Sequence, residues 1–183
     1  LQGELPPGTN YAVSGYRTEQ VLNSIITESQ AIIPPNYAGS GLVLARRPGL
    51  LREFPEADPD ALYYINGGGN DVLQGNITDQ VSAVVVAGYL VKGVAALQDA
   101  GARVIIVSDL PDIGMSPEGI ITGQRDSLSD AADLFNRELD RQLSELGGNV
   151  IRLNSRRLIS EIKDNLATFG DRKSTRLNSS HYS

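Results

Sequence analysis

The run Val104-Ile105-Ile106-Val107 sets the tightest limit on what this chain can fold into. Four β-branched aliphatic residues in succession make a strand with no polar face, and such a strand belongs in a sheet covered on both sides. A helical stretch from Asp79 to about Ala100 precedes it, and another from about Leu128 to Leu146 follows. Tyr63-Tyr64-Ile65 and Asn149-Val150-Ile151-Arg152-Leu153 read as further strands on either side of these helices. Strand alternating with helix is the pattern of a parallel, doubly wound α/β sheet, whose sites lie beyond the carboxyl ends of the strands.

The first long helix takes Thr78 as its cap and Gly101 as its stop, with Val81, Val84, Val85, Val91, Val94 and Ala95 as its buried face. In the second, Leu128, Ala132, Phe135, Leu139, Leu143 and Leu146 follow helical spacing, and Gly147-Gly148 closes it. Upstream, Asn10 to Ser14 is a strand candidate that breaks at Gly15. A helix then starts near Thr18 as N-cap, buries Val21, Leu22, Ile25 and Ile26, and ends by Pro34-Pro35. Residues 35–60 are loop-rich, with a short helix around Leu42 to Phe54, and a last amphipathic helix spans Arg157 to Leu166.

A length of 183 residues suits one domain. The net charge of -6 and the lack of a basic patch argue against nucleic acid as a partner. With no cysteine there is neither thiol chemistry nor a zinc–cysteine site. The longest aliphatic stretch, Val81 to Leu97, is broken by Gly88, Lys92 and Gly93, so no membrane span is expected. The opening Leu1-Gln2-Gly3-Glu4 has neither an initiator methionine nor a signal peptide and reads as the interior of a longer protein. Asp171 to His181 resembles the translation of a common sequencing adapter, which divides the chain into a natural part, 1–170, and an artefactual or disordered tail, 171–183. Without the tail, 13 basic side chains stand against 21 acidic ones.

The candidate site is Gly67-Gly68-Gly69-Asn70-Asp71, where a strand runs out into three glycines, an amide and a carboxylate. A P-loop would end in Gly-Lys-Ser/Thr, and a dinucleotide fingerprint would space its glycines differently. A plain tight turn explains the glycines alone equally well. Asn70 adds an uncharged donor of the kind that stabilises a developing oxyanion, a role worth about 3–4 kcal/mol in acyl transfer. Asp71 is read as a structural acceptor pinning the loop, with Gly68 and Gly69 as its backbone support. Gly15, at the end of the upstream strand candidate, can offer a backbone N–H, the other common oxyanion donor. Ser14 lacks the first glycine of a nucleophile elbow and is read as a small residue allowing close packing. His181, the sole histidine, falls in the adapter-like tail. Asn76-Ile77-Thr78 fits both a glycosylation acceptor and a helix cap, and Pro111-Asp112 both a pocket rim and a turn.

Asn10-Tyr11-Ala12-Val13-Ser14-Gly15-Tyr16-Arg17-Thr18 resembles the second conserved block of the SGNH (GDSL-type) esterase and lipase superfamily, and Gly68-Gly69-Asn70-Asp71 its third. The likeness runs from about Asn10 to Gly170 and is greatest to the esterase passenger domains of Gram-negative autotransporters. It implies a three-layer α/β/α fold and serine-dependent hydrolysis of small-molecule or lipid carboxylic esters, with no metal or cofactor. Gly15 and Asn70 would form the oxyanion hole. The nucleophile's Gly-Asp-Ser-Leu block and the Asp-x-x-His block would lie before and after this chain, which would also lack the first strand. The resemblance further implies export to the outer membrane, cell surface or medium, with a C-terminal barrel possible in the intact protein. A different class, a non-catalytic module binding a sugar or anion in the glycine loop, is also compatible with the residues.

Overall fold

The computed structural model describes residues 10–32, 44–165 and 168. The tail beyond 168, including His181, lies outside them, as does the Pro34-Pro35 stop.

The aliphatic run forms β4 (Val104–Ser108), at the centre of a three-stranded parallel sheet between β3 (Leu62–Ile65) and β5 (Val150–Leu153). In register, Leu62 lies beside Val104 and Ile65 beside Val107, while Ile105 lies beside Val150. The crossovers are α4 (Gln80–Asp99) and α6 (Arg125–Leu146). Both pack together, and α4 also packs on α1 (Thr18–Ile26). By length and composition α4 could cross a membrane, but it sits as a core helix with Leu90, Val94 and Leu97 buried. These helices cover one face of the sheet, joining Ile65, Ile105 and Val107 to Leu90, Phe135 and Leu139 in one core.

The opposite face departs from the expectation of double coverage. Leu62 (60%), Tyr64 (54%) and Ile151 (52%) are exposed, and Val104 and Leu153 with them. Side chains alternate across a strand, so these residues share one apolar surface that no described residue covers. The aliphatic pattern states what the strand requires; it does not say which part of a polypeptide supplies it.

Several sequence expectations are corrected. On α4 the buried face is Ala83, Val86, Ala87, Leu90, Gly93, Val94 and Leu97, whereas Val81 (73%) and Val85 (52%) face outward and Val84 is exposed. The helix is apolar nearly all round, so spacing alone picks no face. Its cap is Asp79 rather than Thr78: the Asp79 carboxylate accepts from Ser82 N–H at 2.8 Å, and Ser82 Oγ accepts from Asp79 N–H at 3.0 Å. Leu44–Pro48 is a strand, β2, and the predicted helix shrinks to α2 (Leu50–Glu53), because Pro48 keeps its predecessor out of helical geometry. β2 pairs antiparallel with β1 (Glu28–Ile32), a hairpin the sequence did not announce. Helix α1 accordingly stops at Ile26. Asn10 to Ser14 forms no strand. Helix α7 (Ser155–Asp164) starts two residues early, where Asp109 accepts from the Ser155 and Arg156 amides at 2.5 and 3.1 Å. The remaining short helices are α3 (Gly69–Leu73) and α5 (Pro117–Thr122).

Candidate active site

At the carboxyl end of β3 the chain must turn sharply under α6, and the glycines permit it. Gly68 has φ +104°, and a Cβ there would stand 2.6 Å from Phe135 Cζ. A Cβ on Gly67 would meet Leu90 Cδ2 at 3.2 Å. Gly69 is different: its nearest neighbours, on Leu110 and Ile113, would be 4.0 Å away, so sterics do not demand glycine there. Two of the three glycines therefore set the turn, and α3 leaves it carrying Asn70 and Asp71.

These two residues reach the same distant segment. Asn70 Nδ2 donates to the Tyr16 carbonyl at 3.0 Å, and Asp71 Oδ2 accepts from Thr18 N–H at 2.9 Å. Thr18 Oγ1 also donates to Asp71 Oδ1 at 3.4 Å. Asp71 is only 4% exposed, and burial pushes its carboxyl above its ordinary value, against the two Thr18 hydrogen bonds. These bonds join the start of α3 to the start of α1. Thr18 is the first residue of α1 rather than its cap, and the first-turn amide finds its acceptor 53 residues away.

The tie brings the two predicted donors into one neighbourhood. Gly15 lies one residue before Tyr16, in a turn closed by Tyr16 N–H to Val13 O at 3.3 Å, with φ +86°. Ser14 is exposed in that turn, which corrects the expectation of close packing. Because the Tyr16 carbonyl can only accept, it fixes the Asn70 amide with nitrogen toward the Gly15 loop. A carboxamide nitrogen has two hydrogens, and the second remains for another acceptor. The backbone N–H of Gly15 and the side-chain amide of Asn70 are uncharged donors carried on separate segments that the Tyr16 bond ties together.

Around this pair the loop after β4 is equally fixed. Asn136 accepts from Leu110 N–H at 2.8 Å and donates to its carbonyl at 2.9 Å. Asp112 accepts from Gly114 N–H at 3.1 Å and Ser129 Oγ at 2.6 Å, and so caps the 3-10 helix Ile113–Met115. An open groove of about 580 Å³ begins at the end of α3, lined among others by Leu73, Gln74, Ile77, Leu128 and Leu134. The ties of Asp71 to Thr18, Asn136 to Leu110 and Asp112 to Ser129 join separate segments and leave no local spacing signal; among these three acceptor residues, Asn136 carries no sequence expectation.

The chain is also similar in sequence to known proteins. The chain is 43% identical over 166 residues to a Pseudomonas putida protein described as an uncharacterized protein in the trpE-trpG intergenic region. It is 44% identical over 173 residues to the esterase EstA of Pseudomonas aeruginosa, and to that of Pseudomonas putida. These alignments take in 91% and 92% of this chain but only 28% and 26% of the relatives, so it spans about a quarter of their length. The sequence pattern of GDSL-like lipases and acylhydrolases matches residues 2–170, from before the Gly15 loop to past α7, and the chain belongs to that family.

Proposed function

We propose that this chain is the oxyanion-hole portion of a serine ester hydrolase acting on carboxylic esters. The observation that carries the reading is the double tie of α3 to the Gly15 loop, through Asn70 to Tyr16 and Asp71 to Thr18. In the complete protein, a serine oxygen attacks the ester carbonyl and its proton passes to a histidine. The carbonyl oxygen takes up the negative charge between Gly15 N–H and the free Asn70 hydrogen. Collapse expels the alcohol, which takes the proton from histidine, and water then releases the acid from the acyl-enzyme. Part of the ester lies along Leu73 into the neighbouring groove, since Leu73, the last residue of α3, follows Asn70 by three positions and lines that groove.

The serine, histidine and partner aspartate belong to polypeptide outside these 183 residues, as do the strand beside β3 and the helical layer over the open sheet face. The apolar face of Leu62, Tyr64 and Ile151, which no described residue covers, supports this, as does the chain's quarter share of its relatives. Residues 171–183 are read as an adapter-derived tail, in keeping with a family match that runs to residue 170. Export, a passenger-domain setting and a C-terminal barrel are part of the same proposal.

The test is to recover the flanking DNA and express both lengths. The complete protein should hydrolyse p-nitrophenyl esters and lose about 10²–10³ in kcat on Asn70→Ala. The 183-residue chain should show no turnover above background. Turnover by the pure chain, lost on Asn70→Ala, would overturn the partial-site reading. Flanks lacking both a Gly-Asp-Ser and an Asp-x-x-His block would overturn the hydrolase.

A further inference from the structure

We propose that Arg47, Tyr11 and Glu53 form a positioning clamp for the Gly15 amide, making the hairpin part of the apparatus that aims the oxyanion donor. The inference rests on the ester-hydrolase reading above.

Residues 10–17 have no helix or strand to fix them. Gly15 is exposed, and nothing lies within 4 Å of where its Cβ would be, so local packing does not hold it. Its place is set by the anchors on either side. One is the α3 tie to Tyr16 and Thr18. The other is a three-residue cluster. Arg47 Nη1 donates to the Asn10 carbonyl at 3.3 Å and Nη2 to Glu53 Oε2 at 2.8 Å. Tyr11 OH donates to the same Glu53 oxygen at 2.6 Å, and the guanidinium stands 3.8 Å over the Tyr11 ring. Charge-assisted bonds of this kind are stronger than neutral ones, and the planar guanidinium serves three partners at once.

The cluster is itself braced. Gly49 N–H donates to the Thr27 carbonyl at 2.9 Å, and a Cβ on Gly49 would stand 2.8 Å from Thr27 N, so the hairpin's exit is pressed against the end of α1. The start of α1 is bound to Asp71. A closed mechanical ring results: α3, the Gly15 loop, Arg47 with Glu53, the hairpin, α1, and α3 again. Burial and the Glu53 bond push the Tyr11 phenol up to about 12, consistent with a held donor. The charged groups acting on it are Glu53 from α2 and Arg47 from β2.

The test compares Arg47→Met, Tyr11→Phe and Asn70→Ala in the complete protein, with kcat and KM for a p-nitrophenyl ester and circular dichroism as a fold control. Arg47→Met should lower kcat about 10-fold with KM within about twofold, because a misplaced donor weakens only the transition state. Arg47→Lys, which keeps the charge over the ring, should recover part of the loss. Wild-type kcat in Arg47→Met, or a change confined to KM, overturns the clamp. If Arg47→Met fails to fold, Tyr11→Phe, which removes one hydroxyl, decides: unchanged kcat overturns it. Loss in Asn70→Ala with none in the clamp variants sinks the clamp and leaves the hydrolase standing. No loss in Asn70→Ala, or no ester hydrolysis by the complete protein, sinks both.

Discussion

Replacing Gly68 by alanine should be among the most damaging single-methyl changes in the described structure, for two separable reasons. The backbone at φ +104° and ψ -22° is one that a side chain resists, at about 1–2 kcal/mol. The new methyl would also stand 2.6, 2.9 and 3.0 Å from three Phe135 ring atoms, and the fully buried ring has nowhere to move. Overpacking of that kind costs about 1–3 kcal/mol, so Gly68→Ala should lose about 2–5 kcal/mol in all. Phe135→Leu withdraws the ring and leaves the backbone term untouched. In the double variant the alanine should therefore cost only the first about 1–2 kcal/mol, a coupling of about 1–3 kcal/mol. Gly69→Ala, with 4.0 Å of clearance, is the near-neutral control. The assay is urea unfolding of the complete protein followed by far-ultraviolet circular dichroism. Additivity of the two substitutions within about 0.5 kcal/mol, or a Gly68→Ala no worse than Gly69→Ala, would refute the steric argument.

Asp71→Asn keeps an acceptor for Thr18 N–H while removing the buried charge, and its effect depends on pH. A raised folded-state pKa means that the stabilisation is full below the unfolded value and is lost as pH rises through the folded one. Wild type should therefore gain stability relative to Asp71→Asn as pH falls from neutrality toward about 4, and a constant or shrinking difference would contradict the burial argument. Tyr11, raised to about 12, contributes stability that is full below its ordinary value of about 10 and fades through the higher one. Alkaline absorbance titration should show a late-ionising tyrosine that vanishes in Tyr11→Phe; its persistence would misassign the group. With an apolar sheet face that no described residue covers, the isolated 183-residue chain should bind a hydrophobic dye and melt broadly. A sharp melt with no dye binding would show that the face is covered after all.

What could be read in advance followed local chemistry. The aliphatic run gave β4, helical spacing gave α6, and the glycine–amide–acid sequence placed Asn70 and Asp71 just past a strand end. The failures have physical causes. α4 is apolar around most of its circumference, so its inward face is chosen by what packs on it, namely α1 and α6. The hairpin's strands contain Glu28, Arg46 and Arg47 in place of clean alternation, and Arg47 is placed by Tyr11 and Glu53 rather than by any periodicity. Thr18 has the composition of a cap, yet its hydroxyl and amide both serve Asp71, a choice made by the meeting of two segments 53 residues apart.

Asn70 and Asp71 also show why adjacent residues with similar outlines carry different burdens. Asp71 is buried and spends its acceptors on Thr18, so its charge is an expense borne by the fold to hold α1 against α3. Asn70 is partly open and spends one hydrogen on Tyr16, leaving the other uncommitted. Exchanging them would fail on both counts. An aspartate at 70 would set a negative charge against the Tyr16 carbonyl and against any oxyanion. An asparagine at 71 would keep the tie but lose its charge assistance. The order amide-then-acid after the glycines follows from which residue meets the buried helix end and which meets the open loop. That is a reason for the motif in terms of this chain's own geometry, independent of any substrate.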